Sequence, residues 1–117
     1  MAFTPRWTSE GSGEYNRLKD RAESSLKNRQ KNKKAKATKA EGLFKQLEKC
    51  VGFLHENPKH PGLHTHKYDS IANPYDSTKK PVFEAYAQNE TPRAYRVFWC
   101  YGRSKGEITF IAITPHP

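Results

Sequence analysis

A chain of 117 residues is long enough for one compact domain and too short for two domains with separate cores, so we expect a single domain over residues 1–117. Lys and Arg number 21 against 12 Asp and Glu, and the net charge of +9 favours a polyanionic partner, either nucleic acid or an acidic protein segment. No apolar run approaches the roughly 20 residues that span a bilayer, and nothing near the N-terminus resembles a signal peptide. We therefore expect no membrane association and a cytoplasmic location.

The cysteines and histidines do not form a metal-binding pattern. Cys50 and Cys100 lie in a helical and a strand pattern without CxxC spacing, which predicts reduced core thiols rather than a disulfide framework or a zinc site. His60, His64 and His66 crowd one loop, but no ordered carboxylate or cysteine is expected beside them to complete a zinc site. We therefore expect no metal and no cofactor.

Two helices are predicted in the first half of the chain. Residues 3–8 precede them and favour a short first strand, which Pro5 restricts to an edge or to the beginning of the strand. Residues 9–13 are expected to form a turn or the entry to a helix. The first helix is marked by apolar residues at three- and four-residue spacing, namely Tyr15, Leu18, Ala22 and Leu26. The second helix has the clearest amphipathic pattern, formed by Leu43, Phe44, Leu47, Val51 and Leu54. It is expected to end at Asn57, because Pro58 disfavours helix in the residue before it.

A basic segment connects the two predicted helices. Residues 24–40 contain no acidic side chain and seven basic ones: Lys27, Arg29, Lys31, Lys33, Lys34, Lys36 and Lys39. Such a run is typical of a solvated helix end or a loose connection. It also suits the neutralisation of phosphates, which gives salt-sensitive affinity for RNA or DNA that does not depend on sequence. The two interpretations are compatible.

The connection from the second helix to the last third of the chain has two parts. Residues 57–66 form a Pro- and Gly-bearing loop with three of the five histidines. Residues 67–80 form a longer polar connection without a periodic pattern. Connections of that length are often functional or mobile.

The last third of the chain, residues 81–117, predicts an antiparallel meander. Three runs rich in β-branched and aromatic residues, 82–88, 94–101 and 108–114, are separated by short turns. Alternation at period two places Glu84 with Tyr86 on one face of the first strand, and Arg96 with Phe98 on one face of the second. The predicted fold is therefore α+β: a small antiparallel sheet, made of the short N-terminal strand and the three-stranded meander, packed against a two-helix hairpin.

The order of these parts and three short segments resemble the RelE/ParE superfamily, the toxins of bacterial type II toxin–antitoxin systems. The most specific segment is Tyr95-Arg96-Val97-Phe98-Trp99, which is similar to the superfamily's Tyr-Arg-hydrophobic-hydrophobic-aromatic third strand. Residues 57–67 are similar to the segment that links the second helix to the second strand. Residues 111–116 (IAITPH) match the closing strand and the polar catalytic position just beyond it. The resemblance covers most of the chain from Leu43 onward.

The resemblance implies a chemistry as well as a fold. In the ribonuclease branch, the toxin cuts mRNA in the ribosomal A site by attack of a 2′-hydroxyl on the adjacent phosphate, without a metal. By this resemblance Arg96 binds the phosphate through its permanently charged guanidinium, and His116 is the general acid. Two alternatives stay open: Arg96 is salt-bridged to Glu84 on the sheet surface, or His116 is a disordered histidine near the C-terminus.

The base in this chemistry is not assigned. His64, His66 and Lys67 are candidates for the base or for phosphate positioning, and Glu84 and Tyr86 share the face of Arg96. One ribonuclease branch has lysines at those two positions, so this sequence is more similar to the branch that uses a carboxylate, an arginine and a histidine. We add Arg93 to the expected nucleic-acid contacts, together with the basic segment, His64 and Lys67.

Three functions follow as hypotheses. The first is a ribosome-dependent mRNA endonuclease toxin whose partners are the ribosome, mRNA and an acidic, partly disordered antitoxin. The second is a ParE-like toxin of the same fold that inhibits DNA gyrase and cleaves nothing. The third is a basic nucleic-acid-binding module without catalysis. Fold alone does not distinguish them, because function resides in the site.

Overall fold

The computed structural model describes residues 2–31, 36–75, 80–88 and 93–115. It contains two helices, α1 (Ser9–Gln30) and α2 (Lys39–Glu56), and a short 3-10 turn at Pro61–Leu63. Its strands are β1 (Thr4–Trp7), β2 (His66–Lys67), β3 (Phe83–Tyr86), β4 (Tyr95–Tyr101) and β5 (Glu107–Pro115). The predicted α+β class, the two helices, the N-terminal strand and the three meander strands are confirmed.

The strands form one sheet in the order β1-β5-β4-β3-β2. The meander β3-β4-β5 is antiparallel as predicted, whereas β1 runs parallel to β5, with Thr4 opposite Glu107. A parallel pair needs a long connection, and here the helices and the meander supply it. The sheet is therefore mixed rather than wholly antiparallel. The two-residue β2 adds an edge strand beside β3 that was not predicted, because two residues carry no alternating pattern.

A threonine just before each helix caps its first turn. The Thr8 hydroxyl accepts a hydrogen bond from the Gly11 amide at 3.0 Å and donates to the Ile111 carbonyl at 2.6 Å, so it joins α1 to β5. Thr38 and Glu41 form a reciprocal capping box, and α2 therefore begins several residues before its apolar pattern. Asn57 caps the end of α2, as the following proline predicts.

Each face of the sheet carries its own hydrophobic cluster. The helix face packs buried leucines of α1 and α2 against the strands, with Leu18, Leu47, Leu54, Val97, Trp99 and Phe110 at its centre. The opposite face buries Val82, Phe98, Cys100, Ile111 and Ala112 beneath Tyr68, Ile71 and Tyr75. A β-bulge between β4 and β5 lets two consecutive β5 residues, Ile111 and Ala112, belong to this second cluster. Residues 68–75 of the connection that the sequence shows as polar and without a periodic pattern thus cover the face opposite the helices.

The two cysteines belong to these clusters. Cys50 and Cys100 are buried and free. Burial disfavours the thiolate and raises the pKa of Cys50 to about 12 and that of Cys100 to about 11. Their prediction as core thiols is confirmed.

Gly11 allows α1 to lie directly against the backbone of β5. A Cβ at this position would lie 2.8 Å from the carbonyl oxygen of Phe110 and 3.2 Å from that of Ile111. Relief would require a shift of helix or strand, so we expect Gly11→Ala to lower the free energy of unfolding by about 1–3 kcal/mol. Gly13→Ala is the matched control, because a Cβ at Gly13 meets nothing within 4 Å. Equal urea midpoints for the two variants would contradict this account.

Glu41 ties the start of α2 to the end of α1. Its carboxylate accepts from Arg29 Nη2 at 2.8 Å, from the Ser25 hydroxyl at 3.1 Å and from the Thr38 amide at 3.1 Å. These bonds, the one to Arg29 above all, hold the pKa of Glu41 at about 2. Because the pKa of Glu41 is lower in the folded state, its ionised carboxylate stabilises the fold at pH values above the ordinary pKa of glutamate. That stabilisation is lost as the pH falls towards 2.

The expected result is a Glu41 carboxyl that titrates with a pKa of about 2, well below the ordinary glutamate range, in a carbon-detected NMR titration. In Arg29→Gln the guanidinium is absent, so the midpoint should move up towards the ordinary value. An unchanged midpoint in that variant would show that Arg29 is not the main cause.

Candidate functional site

Ionisable side chains converge on the sheet face opposite the helices, where β2, β3 and β4 lie side by side. The strand register sets His66 opposite Glu84 and Tyr86 opposite Arg96. Since alternate residues of a strand share a face, Glu84, Tyr86 and Arg96 all belong to this face. The predicted alternation is confirmed.

Glu84 bridges a histidine and an arginine. Its Oε1 lies 2.6 Å from His66 Nε2, and its Oε2 accepts a short hydrogen bond from Arg96 Nη1. The side chain of Glu84 is 3% exposed and that of Arg96 is 8% exposed, while the His66 side chain is 52% exposed. The three residues, which we call the His66–Glu84–Arg96 cluster, therefore run from an exposed imidazole to a buried guanidinium.

The Arg96 guanidinium is enclosed by rings. Its Cζ lies 4.8 Å from the ring centroid of Phe98 and 5.8 Å from that of Tyr68. Its Nε is buried and has no hydrogen-bond partner within the described residues. The structure therefore contains the Arg96–Glu84 salt bridge that the sequence analysis left open as an alternative. The pair is buried, however, and does not lie exposed on the sheet surface. With its side chain 8% exposed, Arg96 is not open to a phosphate in this arrangement.

His66 is the exposed member of the cluster, and both of its ring nitrogens face acceptors. Nε2 faces the Glu84 carboxylate, and Nδ1 lies 3.2 Å from the His64 carbonyl oxygen. The ring donates to one acceptor in either neutral tautomer and to both when protonated. His64 has a left-handed backbone with φ of 49°, which turns the chain from the 3-10 turn into β2. The Tyr86 ring lies beside the imidazole, with 6.0 Å between the centroids.

The predicted nucleic-acid contacts lie apart from one another. Lys27, Lys31, Lys36 and Lys39 are exposed near the turn between the helices, and Lys67, His64 and Arg93 are exposed elsewhere. Arg29 is engaged by Glu41. The helix α2 has 18 residues, about 27 Å in length, and it separates the basic segment from the histidine loop. Lys33, Lys34 and the predicted general acid His116 lie outside the described residues.

Sequence reasoning missed Tyr68 as a neighbour of the cluster. Its ring packs on Phe98 at 4.7 Å between centroids and covers the Arg96 guanidinium. A signal was present: Tyr68, Ile71 and Tyr75 recur at three- and four-residue spacing inside a polar segment. Such spacing in a short non-helical stretch does not by itself say which surface the rings cover.

Two features are absent from the part of the chain that the structure describes. No group of three or more His, Cys, Asp or Glu side chains among these residues is placed to hold a metal ion. None of the helices in the same ranges is long and apolar enough to cross a bilayer.

Comparison with known proteins gives a structural match without a sequence match. No protein-family model matches the chain, and no curated protein resembles it significantly in sequence. A chain in the crystal structure of the archaeal RelE–RelB complex from Pyrococcus horikoshii OT3 superposes with a TM-score of 0.55 at 11% identity. The match covers 98% of this chain and 96% of that one. At this identity the likeness concerns the fold, and it confirms the expected architecture: the chain has a RelE-like fold.

Proposed function

We propose that this chain is the toxin of a type II toxin–antitoxin pair and that it cleaves mRNA on the ribosome. The observation that supports it most is the RelE-like fold over 98% of the chain. The similar structure is a complex of RelE with RelB, so we infer a RelB-like antitoxin as the partner of this chain too. The net charge of +9 suits an acidic partner and an RNA substrate alike.

Cleavage by a 2′-hydroxyl needs a group that takes a proton, a cation beside the phosphate and a group that protonates the leaving 5′-oxygen. In our proposal His66 transfers the proton at Nδ1, because Nε2 is held by Glu84 and the ring is half exposed. The RNA hydroxyl would replace the His64 carbonyl oxygen, which lies 3.2 Å from Nδ1. Glu84 fixes the ring orientation through its bond to Nε2, in the way that a carboxylate orients a catalytic histidine elsewhere.

Arg96 acts as a positioning residue in this proposal. Its guanidinium holds the second oxygen of Glu84 and is almost fully enclosed, so it stabilises the carboxylate that orients His66. The exposed cation nearest in sequence to His66 is Lys67, which we propose for the phosphate together with His64. His116 stays the proposed general acid, as the resemblance implies, and Tyr86 borders the imidazole.

Induced expression in a bacterium tests the proposal. We expect growth arrest, accompanied by new 5′ ends on a translated reporter transcript mapped by primer extension. The same transcript with its start codon removed is the control, because a ribosome-dependent nuclease should leave it intact. Arrest without new 5′ ends would reject cleavage and favour the ParE-like gyrase inhibitor, and co-expression of an adjacent small acidic reading frame should restore growth.

A further inference from the structure

A second concave site lies on the helix face of the sheet, beside the loop that follows α2. It is a cleft of about 870 Å³ between residues 58–65, the start of β3, the end of β4 and the turn at residues 102–106. That volume lies within the roughly 300–1,000 Å³ of clefts that hold small ligands. His66, Glu84 and Arg96 do not line it, so it is distinct from the cluster on the other face.

Aromatic rings form the floor of this cleft. Trp99 stacks on Phe83, with 4.6 Å between centroids and 25° between planes, and meets Tyr101 edge-on at 5.1 Å. Trp99 is buried, whereas Phe83 and Tyr101 are half-buried and present ring surface to the cleft. Such a floor suits a flat ligand ring that stacks on it.

Positive side chains surround the floor. Four exposed cations from three segments of the chain line the cleft: Lys59, Lys80, Arg103 and Lys105. Within the described residues none of them forms an ion pair, and the acidic lining residue Glu107 is engaged by Arg6 at 3.0 Å. The cleft therefore attracts a ligand that combines a flat ring with negative charge.

Two lining residues carry buried polar atoms that lack partners. Thr65 Oγ1 and Trp99 Nε1 are buried, and neither finds a hydrogen-bond partner among the residues that the structure describes. An unpaired buried donor is costly, and native proteins seldom leave one without a protein, water or ligand partner. Neither atom is exposed to the cleft, so a ligand would reach it only after a local shift of the lining.

We propose that this cleft binds an unpaired nucleotide of an RNA strand, with its base against Phe83 and Tyr101 and its phosphates beside the surrounding lysines. The two rings stand at 79° to each other, so the base stacks on one of them and meets the other edge-on. A nucleotide joins a ring and a negative charge in one unit, whereas the carboxylates of an acidic protein segment bring no ring to the floor. Thr65 and Phe83 line the cleft, and the next residues, His66 and Glu84, belong to the cluster. The identification of the strand as the cleaved mRNA rests on the proposed function.

Binding of a labelled 2′-O-methyl RNA hexanucleotide, followed by fluorescence anisotropy over a range of salt, tests the cleft. This RNA lacks the attacking hydroxyl, so binding is measured whether or not the chain is a nuclease. In Lys59→Ala/Lys105→Ala, the slope of log affinity against log salt should fall in magnitude by about 1.4, because each lysine that neutralises a phosphate of a single strand contributes about 0.7 to it. Both lysines are exposed, so the variant should fold.

The matched control is Lys19→Ala/Lys45→Ala, which removes the same charge from exposed helix positions outside the cleft and should leave the slope unchanged. An unchanged slope in the cleft variant, or an equal fall in both, would overturn the proposal.

In Trp7→Phe protein, Trp99 is the sole tryptophan, and its emission should change with the RNA but not with abasic ribose phosphate. Equal binding of polyglutamate, with the same loss in the cleft variant, would assign the cleft to an acidic protein instead.

Discussion

Arg96→Ala is expected to lower the free energy of unfolding by about 3–5 kcal/mol, the cost of leaving one member of a buried ion pair without the other. Among the described residues, the Glu84 carboxylate, 3% exposed, would keep only the half-exposed His66 as a side-chain partner. The truncation would also remove the stem and guanidinium that pack on Phe98. Urea denaturation followed by circular dichroism measures the change.

The control removes both charges at once. Replacement of a buried pair by uncharged groups of similar volume is often neutral, so Arg96→Met/Glu84→Gln should be more stable than Arg96→Ala alone. A double-mutant cycle of the free energies of unfolding, with Arg96→Met and Glu84→Gln as its single variants, should show that the two side chains stabilise each other. Additive effects of the two single substitutions would show that the pair does not hold the fold. Loss of toxicity in Arg96→Ala would therefore reflect loss of the fold, and by itself it would not show that Arg96 takes part in the reaction.

Part of this ion-pair arrangement is predictable from the sequence. Period-two alternation was enough to place Arg96, Glu84 and Tyr86 on one face, and Glu84 was identified as an alternative partner of Arg96. Burial of the pair could not be predicted, because it depends on Tyr68, which lies far along the chain from both and approaches only in the folded state. Local patterns indicate which way a side chain faces and say little about which segment covers it after folding.

The two helices and the end of α2 were better predicted from the sequence than the sheet edges. Pro58 predicts the end of α2, and the apolar spacing predicts its buried face, because both effects act within a few residues. The parallel direction of β1 and the two-residue β2 depend on contacts across long stretches of chain. The basic segment and two residues of the histidine loop and β2, His64 and Lys67, were expected to contact nucleic acid. Nothing in the sequence indicated that α2 holds these two groups at its opposite ends.

His66→Gln is expected to lower the rate of RNA cleavage on programmed ribosomes by about 10²–10⁴-fold, the usual worth of a general acid or base. Glutamine keeps a side chain that can hydrogen-bond Glu84 but transfers no proton, and the position is half exposed, so the fold should be retained. Single-turnover cleavage with saturating toxin measures the chemical step. The same substitution at His55, which lies on α2 outside the cluster, is the control and should leave the rate unchanged.

Glu84→Gln separates positioning from binding when cleavage is followed over multiple turnovers at several concentrations of programmed ribosomes. If the carboxylate orients His66 and does not touch RNA, the variant should lose kcat per folded molecule while KM stays close to that of the native protein, because ground-state binding is unaffected. Circular dichroism gives the folded fraction, which is needed because the substitution leaves Arg96 without its buried partner. A rise in KM at constant kcat would instead place Glu84 in contact with the RNA. Full cleavage by His66→Gln would remove the cluster from the chemistry altogether, and the search for the base would then move to Lys67 and Tyr86 on the neighbouring strand positions.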